Sequence, residues 1–458
     1  MSLQLGVILA YIVVQLVVAW FVSRRIRGED DYLVAGRSLG YGLCTFTIFA
    51  TWFGAESLIS GAGSVYADGL AGGSADPFGY AICLLLLGAL FAKPLWDRKL
   101  TTFGDLFRQR YGLQTERVAA VLLIPTSVLW AAAQIRGFGQ VLAANSEFHT
   151  SVAIAFAAAI VITYTAFGGL KADAVTDLIQ GITLIAGILG LSWIVFFGDA
   201  AFDWSAVPAE RLSLFPAERS WPATAEAWAV PVFGSLFAAE VIARVAAARN
   251  ARVARTGLLA GGTAFLVFGT LAALIGVAGA TELPGLDDPE QVIIAMADQR
   301  LGPTLRILFS GALAAAILST VDSVLLTAGS LLAHNLIIPM RPAMSARARL
   351  RLNRAGVVFF GVVSYWVAVG ADTVWGLVEE SSALGSSGVF VIVPFALFSR
   401  FGGASAAISS LAAGGVSYIV GAYFWEWECP YLISICFALA GYVLPAWLAK
   451  ESPAEARA

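Results

Sequence analysis

Ser319, Thr320, Asp322 and Ser323 gather three hydroxyls and one carboxylate inside an apolar run that extends from about Leu305 to Leu336. A carboxylate near the middle of a membrane span costs roughly 2.5–3.5 kcal/mol on insertion scales, so it calls for a partner or a wet cavity. On a helix, Ser319 lies three and four positions before Asp322 and Ser323, which puts these side chains on one face with Thr320 at its edge. Hydroxyls and a carboxylate, without thiolate or imidazole, form a hard-oxygen set that suits Na⁺ or a proton rather than zinc or copper.

Two further apolar stretches carry helix breakers beside a lone carboxylate. One reads Ala50-Thr51-Trp52-Phe53-Gly54-Ala55-Glu56-Ser57, and the other reads Pro231-Val-Phe-Gly234-Ser235 with Glu240 beyond it. Irregular backbone at membrane depth is tolerated only where it is buried in protein or lines a cavity. Secondary transporters place such interrupted helices at corresponding positions of two inverted repeats, with ligands at the breaks.

A third stretch holds Trp130, Gln134, Arg136 and Gln140, and Arg136 is the one basic residue well inside a span. A guanidinium there calls for an anion, and a carboxylate is its natural bidentate partner. That carboxylate belongs either to a substrate or to Glu56 or Glu240, unless the arginine reaches outward. Glu240 and Arg244 are four apart, the spacing of a helix ion pair or a gate contact. Glu379, Glu380, Ser381 and Ser382 open a later span, where they either line a vestibule or are simply solvated.

The elements that position these groups are membrane helices. The chain has 458 residues, 59% of them hydrophobic and 13% charged, with a mean hydropathy of +0.80. Soluble domains sit nearer half apolar and about a quarter charged. The apolar runs divide into about thirteen spans: 4–23, 39–66, 75–96, 117–144, 150–168, 174–198, 226–247, 254–280, 303–337, 354–372, 374–398, 403–424 and 430–448. The first has Arg24, Arg25 and Arg27 after it and no basic residue before it, so it reads as a retained anchor. Most of the 28 lysines and arginines cluster at 24–37, 93–117, 244–255 and 341–354. That clustering predicts an outside N-terminus and an inside C-terminus in a cell membrane.

Other chemistries lack their apparatus. The two histidines, His149 and His334, are far apart, and neither belongs to an HExxH zinc motif. None of the four lysines ends a phosphate-binding loop, and there is no GxSxG elbow. Cys44, Cys83, Cys429 and Cys436 lack metal spacing. The basic residues are accounted for by topology, so nucleic acid is not expected as a partner. Lipid bilayer and a small-molecule substrate are.

Ala35-Gly-Arg-Ser-Leu39, the Ala-Glu and glycine-rich end of the second span, Gly168-Gly-Leu-Lys-Ala-Asp173-Ala-Val-Thr-Asp177-Leu-Ile-Gln180 and Ser319-Thr320 together resemble the sodium/solute symporter family over nearly the whole chain. The resemblance implies an all-α polytopic protein of LeuT type with a 5+5 inverted-repeat core. The extra first helix would be 4–23, the repeats 39–198 and 226–398, and two further helices 403–448. It also implies a sodium site formed by the carbonyls of Ala50, Phe53 and Ala316 and the hydroxyls of Ser319 and Thr320. A second cation site, present in some members, would map to Asp177, Asp322 and Ser323. Asp322 replaces an expected hydroxyl residue, so this pair of acids could instead share a proton. Sialic acid carriers bind a substrate carboxylate from the helix equivalent to that of Arg136. Trp52 departs from the small or polar residue found there, and either narrows the cavity or stacks on the substrate.

The expectation is a sodium-coupled symporter, not an enzyme, with Na⁺ as coupling ion. It would work by alternating access as a monomer on a small polar solute, an amino acid or a carboxylate. Substrate-binding candidates are Trp52, Glu56, Ser57, Gln134, Arg136 and Gly234. The rivals are a proton-coupled carrier using Asp177 and Asp322, and a substrate sensor on the same fold, although nine residues after Ala449 are too few for a signalling domain.

Overall fold

A computed structural model describes residues 3–451 apart from 25, 145 and 217, and the regular elements among them are helices. Arg25, one of the basic residues after the first span, and the tail from 452 lie outside that description. Ten of the described helices are long and apolar enough to cross a membrane, or eleven with the bent pair 374–398 counted as one span. The stretches 56–97 and 150–197 each pass as one candidate span where the sequence suggests two, although the first is interrupted at Gly69 and Asp76 and the second at Gly169, so ten or eleven spans stand against about thirteen expected.

The helices that matter for the site are α1 (Leu3–Ser23), α2 (Tyr41–Trp52), α3 (Ala62–Asp68), α4 (Tyr80–Leu86), α5 (Leu113–Ala144), α6 (Thr150–Phe197), α7 (Trp221–Ala229), α8 (Ala239–Ala247), α9 (Ala251–Glu282), α10 (Pro303–Ser330), α11 (Ala346–Gly370), α12 (Val374–Ala383) and α13 (Ser386–Phe398). The apolar 18-residue middle of the 303–340 stretch, which contains α10, is 89% buried, against 28% for that of α1. α10 is therefore the central column, and α1 shows most of its surface to lipid.

Both expected interruptions are present. α2 stops at Trp52, Phe53 leaves helical geometry at φ −101° and ψ 70°, and a wide turn over Glu56–Gly61 leads into α3. In the second, α7 runs into a wide turn at Val230–Gly234, and the chain is extended at Ala238 (ψ 131°) before α8 begins. Pro231 has no N–H to give to a helical ladder, which is the local cause of the second break. The long α6 bends at Gly169, where φ is 61°. Asp173 and Asp177 follow one turn apart beyond the bend, both buried.

The basic clusters meet at one end of the bundle. Arg37 donates to the carbonyls of Ala246 (3.0 Å), Lys99 (2.9 Å) and Leu100 (2.9 Å). At the same end His334 sits between Glu29 Oε1 at 2.9 Å and Asp105 Oδ1 at 3.2 Å. Burial acts to raise the Glu29 carboxyl, but the hydrogen bond and charge of His334 outweigh it and hold the group below its ordinary value.

α10 reaches its neighbour α11 through a glycine contact. A Cβ on Gly329 would lie 2.8 Å from Val357 N, and one on Gly356 would lie 2.9 Å from Gly329 O. Small residues at a helix crossing let backbones approach where hydrophobic driving force between helices is absent. Gly329→Val should therefore lower the melting temperature in detergent by several degrees. Gly311→Ala, where no atom lies within 4 Å of the added Cβ, should leave it unchanged or raise it slightly. Equal effects of the two substitutions would refute the packing role.

Candidate functional site

The hydroxyl pair of α10 faces the end of α2. Ser319 Oγ lies 2.7 Å from Ala50 O and 2.6 Å from Ala316 O. Thr320 Oγ1 lies 3.3 Å and 3.4 Å from the same two carbonyls. Four of the five expected sodium ligands thus converge. Phe53 follows at the end of the half-helix, and a side chain on its neighbour Gly54 would strike Thr320 Oγ1. All the donors are oxygens, and Ser319, Thr320 and Ala50 are fully buried. This donor set fits a hard monovalent cation.

One turn further along α10, the structure assembles a cluster larger than the sequence suggested. One carboxylate oxygen each from Asp173, Asp177 and Asp322 lies within 4.8 Å of the others, all three side chains buried. Ser323 Oγ donates to Asp173 Oδ2 at 3.0 Å, Asp322 Oδ1 accepts from Ser323 N at 2.8 Å, and Thr47 donates to Asp177. Asp173 lies in the Gly168–Gln180 motif. Its position four residues before Asp177 on one helix face was the signal available.

The expected Glu240–Arg244 ion pair is not formed. Arg244 donates to the Glu240 backbone carbonyl at 3.1 Å, and its charge faces Asp173 Oδ2 at 2.6 Å and Asp177 Oδ2 at 4.0 Å. α8 turns the guanidinium toward α6 and α10, where three carboxylates outweigh one. Glu240 points the other way and accepts from Ser127 at 2.6 Å.

Between the two breaks lies a narrow cavity. Of the candidates, Trp52, Glu56 and Gly234 line it, and so does Glu240. Trp52 meets Tyr80 and Trp130 edge-on, with ring centroids 5.6 and 5.9 Å apart, and Phe233 packs on Phe390 at 5.0 Å. The Trp52 indole N–H has no hydrogen-bond partner. The lining holds two carboxyl groups and no lysine, arginine or histidine. Trp52 is thus wall and potential stacking partner together.

Three candidates fall outside this lining. Gln134 is spent on the break, since its Oε1 accepts from Ala55 N at 2.8 Å and its Nε2 donates to Glu56. Ser57 donates to Asp76 Oδ2 at 2.7 Å. Asp76 is a second buried carboxylate beside the first break, one that the sequence reading did not single out. Arg136 meets none of the anions expected for it. It donates to the carbonyls of Ala368 at 3.2 Å and Asp372 at 2.5 Å. These lie at the C-terminal end of α11, where unpaired carbonyls attract cations. The guanidinium therefore caps a helix and is not part of the cavity.

Tyr80 and Val378 line the cavity and also a wide vestibule beyond it. Tyr80 Oη and Ser235 Oγ converge on Ser382 Oγ at 3.0 and 3.1 Å, a hydroxyl chain across that boundary. The vestibule is lined by Asp68, Glu226, Glu379, Glu380 and Glu428, with Arg219 the one basic residue. It lies at the end opposite the basic clusters.

The chain is 26% identical to a high-affinity choline transporter of Caenorhabditis elegans over 369 residues, covering 76% of this chain and 63% of that protein. Against the human high affinity choline transporter the identity is 27% over 432 residues, covering 85% and 70%. The chain thus spans about two thirds of the length of these relatives. A substrate-bound, outward-open Na⁺-coupled sialic acid symporter has the same fold, with a TM-score of 0.80 at 15% identity over 97% of this chain and 98% of that one. The model of the sodium:solute symporter family matches residues 32–414, and the chain belongs to that family.

Proposed function

We propose that this protein is a sodium-coupled symporter whose solute is a small organic cation. The observation that carries the solute class is the cavity lining. Glu56 and Glu240 are the carboxyl groups in it, aromatic rings make much of its wall, and Arg136, the residue that favoured a carboxylate, is engaged elsewhere. A cation over aromatic faces gains on the order of 0.5–2 kcal/mol per contact, the upper end when desolvated. A carboxyl group supplies the opposite charge that a buried cation requires. The relatives named choline transporters agree with this class.

The sodium ligands are Ala50, Phe53, Ala316, Ser319 and Thr320. Sodium there ties the end of α2 to α10. Because Trp52 follows Ala50 by two residues, the same binding event fixes one wall of the cavity. That linkage makes sodium and solute cooperative, since each favours the same arrangement of the first break. The repeats are assigned as 39–198 and 226–398, related by inversion, with the two breaks in equivalent places. The basic end faces the cytoplasm by the positive-inside rule, and the acidic vestibule opens outside. An acidic mouth collects cations, which supports that direction of entry.

The test is uptake into proteoliposomes. An inward Na⁺ gradient should drive accumulation of radiolabelled choline over proline or N-acetylneuraminate. Glu240→Gln and Trp52→Ala should each raise KM for choline by tenfold or more, whereas Arg136→Gln should leave it within about twofold. Preference for an anion, lost in Arg136→Gln, would reverse the assignment. Ser319→Ala and Thr320→Ala should each raise the Na⁺ concentration for half-maximal uptake several-fold. Uptake that follows a pH gradient and ignores Na⁺ would select proton coupling instead.

A further inference from the structure

Two of the three side chains expected to hold a second cation already face a cation that belongs to the chain. Arg244 is 1% exposed. Its guanidinium donates to Ser323 Oγ, lies 2.6 Å from Asp173 Oδ2 and stands 4.0 Å from Asp177 Oδ2. Asp177 Oδ1 is buried without a hydrogen-bond partner, and the buried Asp173 and Asp322 carboxyls lie within hydrogen-bonding reach of each other. The carboxylates belong to α6 and α10, whereas the arginine rides on α8, the half-helix that follows the second break.

We propose that Arg244 is a tethered cation that occupies the second cation site, so that this protein binds one Na⁺ and not two while α8 is docked. The inference rests on the sodium-coupled reading. A free ion on Asp177 and Ser323 would have to sit against the guanidinium, and like charges at that distance repel in a site shielded from water. Arginine cannot give up its proton to relieve the conflict. It can leave only by moving α8. Three carboxylates outnumber it, so its removal leaves enough charge and enough free oxygens for a solution cation to take its place. Arg244 thereby sets ion stoichiometry, and its position on a half-helix ties that stoichiometry to the state of the basic end of the bundle.

The experiment is equilibrium binding of ²²Na⁺ to the purified full-length protein in detergent. The native protein should bind one Na⁺, and Asp177→Asn should leave that number at one, because Asp177 serves Arg244. Arg244→Gln should bind two, and adding Asp177→Asn to it should return the number to one. Because Arg244→Gln strands the buried Asp173, the paired variant Asp173→Asn/Arg244→Gln is measured beside it and should also bind two. Two ions on the native protein, or one on both variants that lack the arginine, would overturn the proposal while leaving sodium coupling intact. No ion on the native protein would remove the sodium-coupled reading and this proposal together.

Discussion

The Ala50 carbonyl carries more of this architecture than any other single atom. It lies at the end of α2, four residues before Gly54, the residue that would supply its hydrogen bond in an unbroken helix. Two hydroxyls of α10 stand within 2.7 and 3.3 Å of it. At membrane depth a carbonyl without a partner costs several kcal/mol, so the break can exist only because α10 presents Ser319 and Thr320 there. The break in turn sets the positions of Trp52 and Glu56 in the cavity wall. Gln134 completes the arrangement from α5 by satisfying the Ala55 N–H.

A second consequence concerns the order of polar layers along α10. Ser319 belongs to the oxygen set at α2, and Ser323, one turn on, belongs to the carboxylate cluster at α6 and α8. Thr51 Oγ1 stands 3.4 Å from Ser323 Oγ, next in sequence to Ala50. The two layers therefore share a pair of adjacent residues in α2 and one helical turn of α10. Movement of α2 must disturb both layers, and movement of α8 disturbs the carboxylate layer.

Much of this was legible in the sequence, because it depends on residue type against an apolar background. The breaks announce themselves as glycine and proline beside lone acids, and the Ser-Thr-x-Asp-Ser run announces an oxygen site. Side-chain direction was not legible. Glu240 and Arg244 have the spacing of a helix pair, yet the competing partners of Arg244 lie on two other helices distant in sequence. Arg136 was the natural anion receptor by composition, but its long side chain reaches the open end of α11 in preference to the cavity. Gln134 and Ser57 stand beside the first break, where Gln134 bonds the Ala55 N–H and Glu56 and Ser57 bonds Asp76, partners that sequence spacing does not reveal. Asp76 and Asp173 gain their place only from partners distant in sequence, Ser57 for the one and Arg244 and Ser323 for the other.

The acidic vestibule has a consequence for how sodium acts on this protein. Carboxylates around a concave mouth enrich every cation near them above its bulk concentration. The enrichment decays over a Debye length of about 10 Å at 0.1 M salt, so it shrinks as the salt rises. On the proposed reading, added Na⁺ would play two opposed parts, as a ligand that readies the cavity and as a screening ion that thins the local pool of a cationic solute. An activation curve recorded without holding ionic strength constant sums the two, and can show a maximum where the ligand effect alone would only saturate.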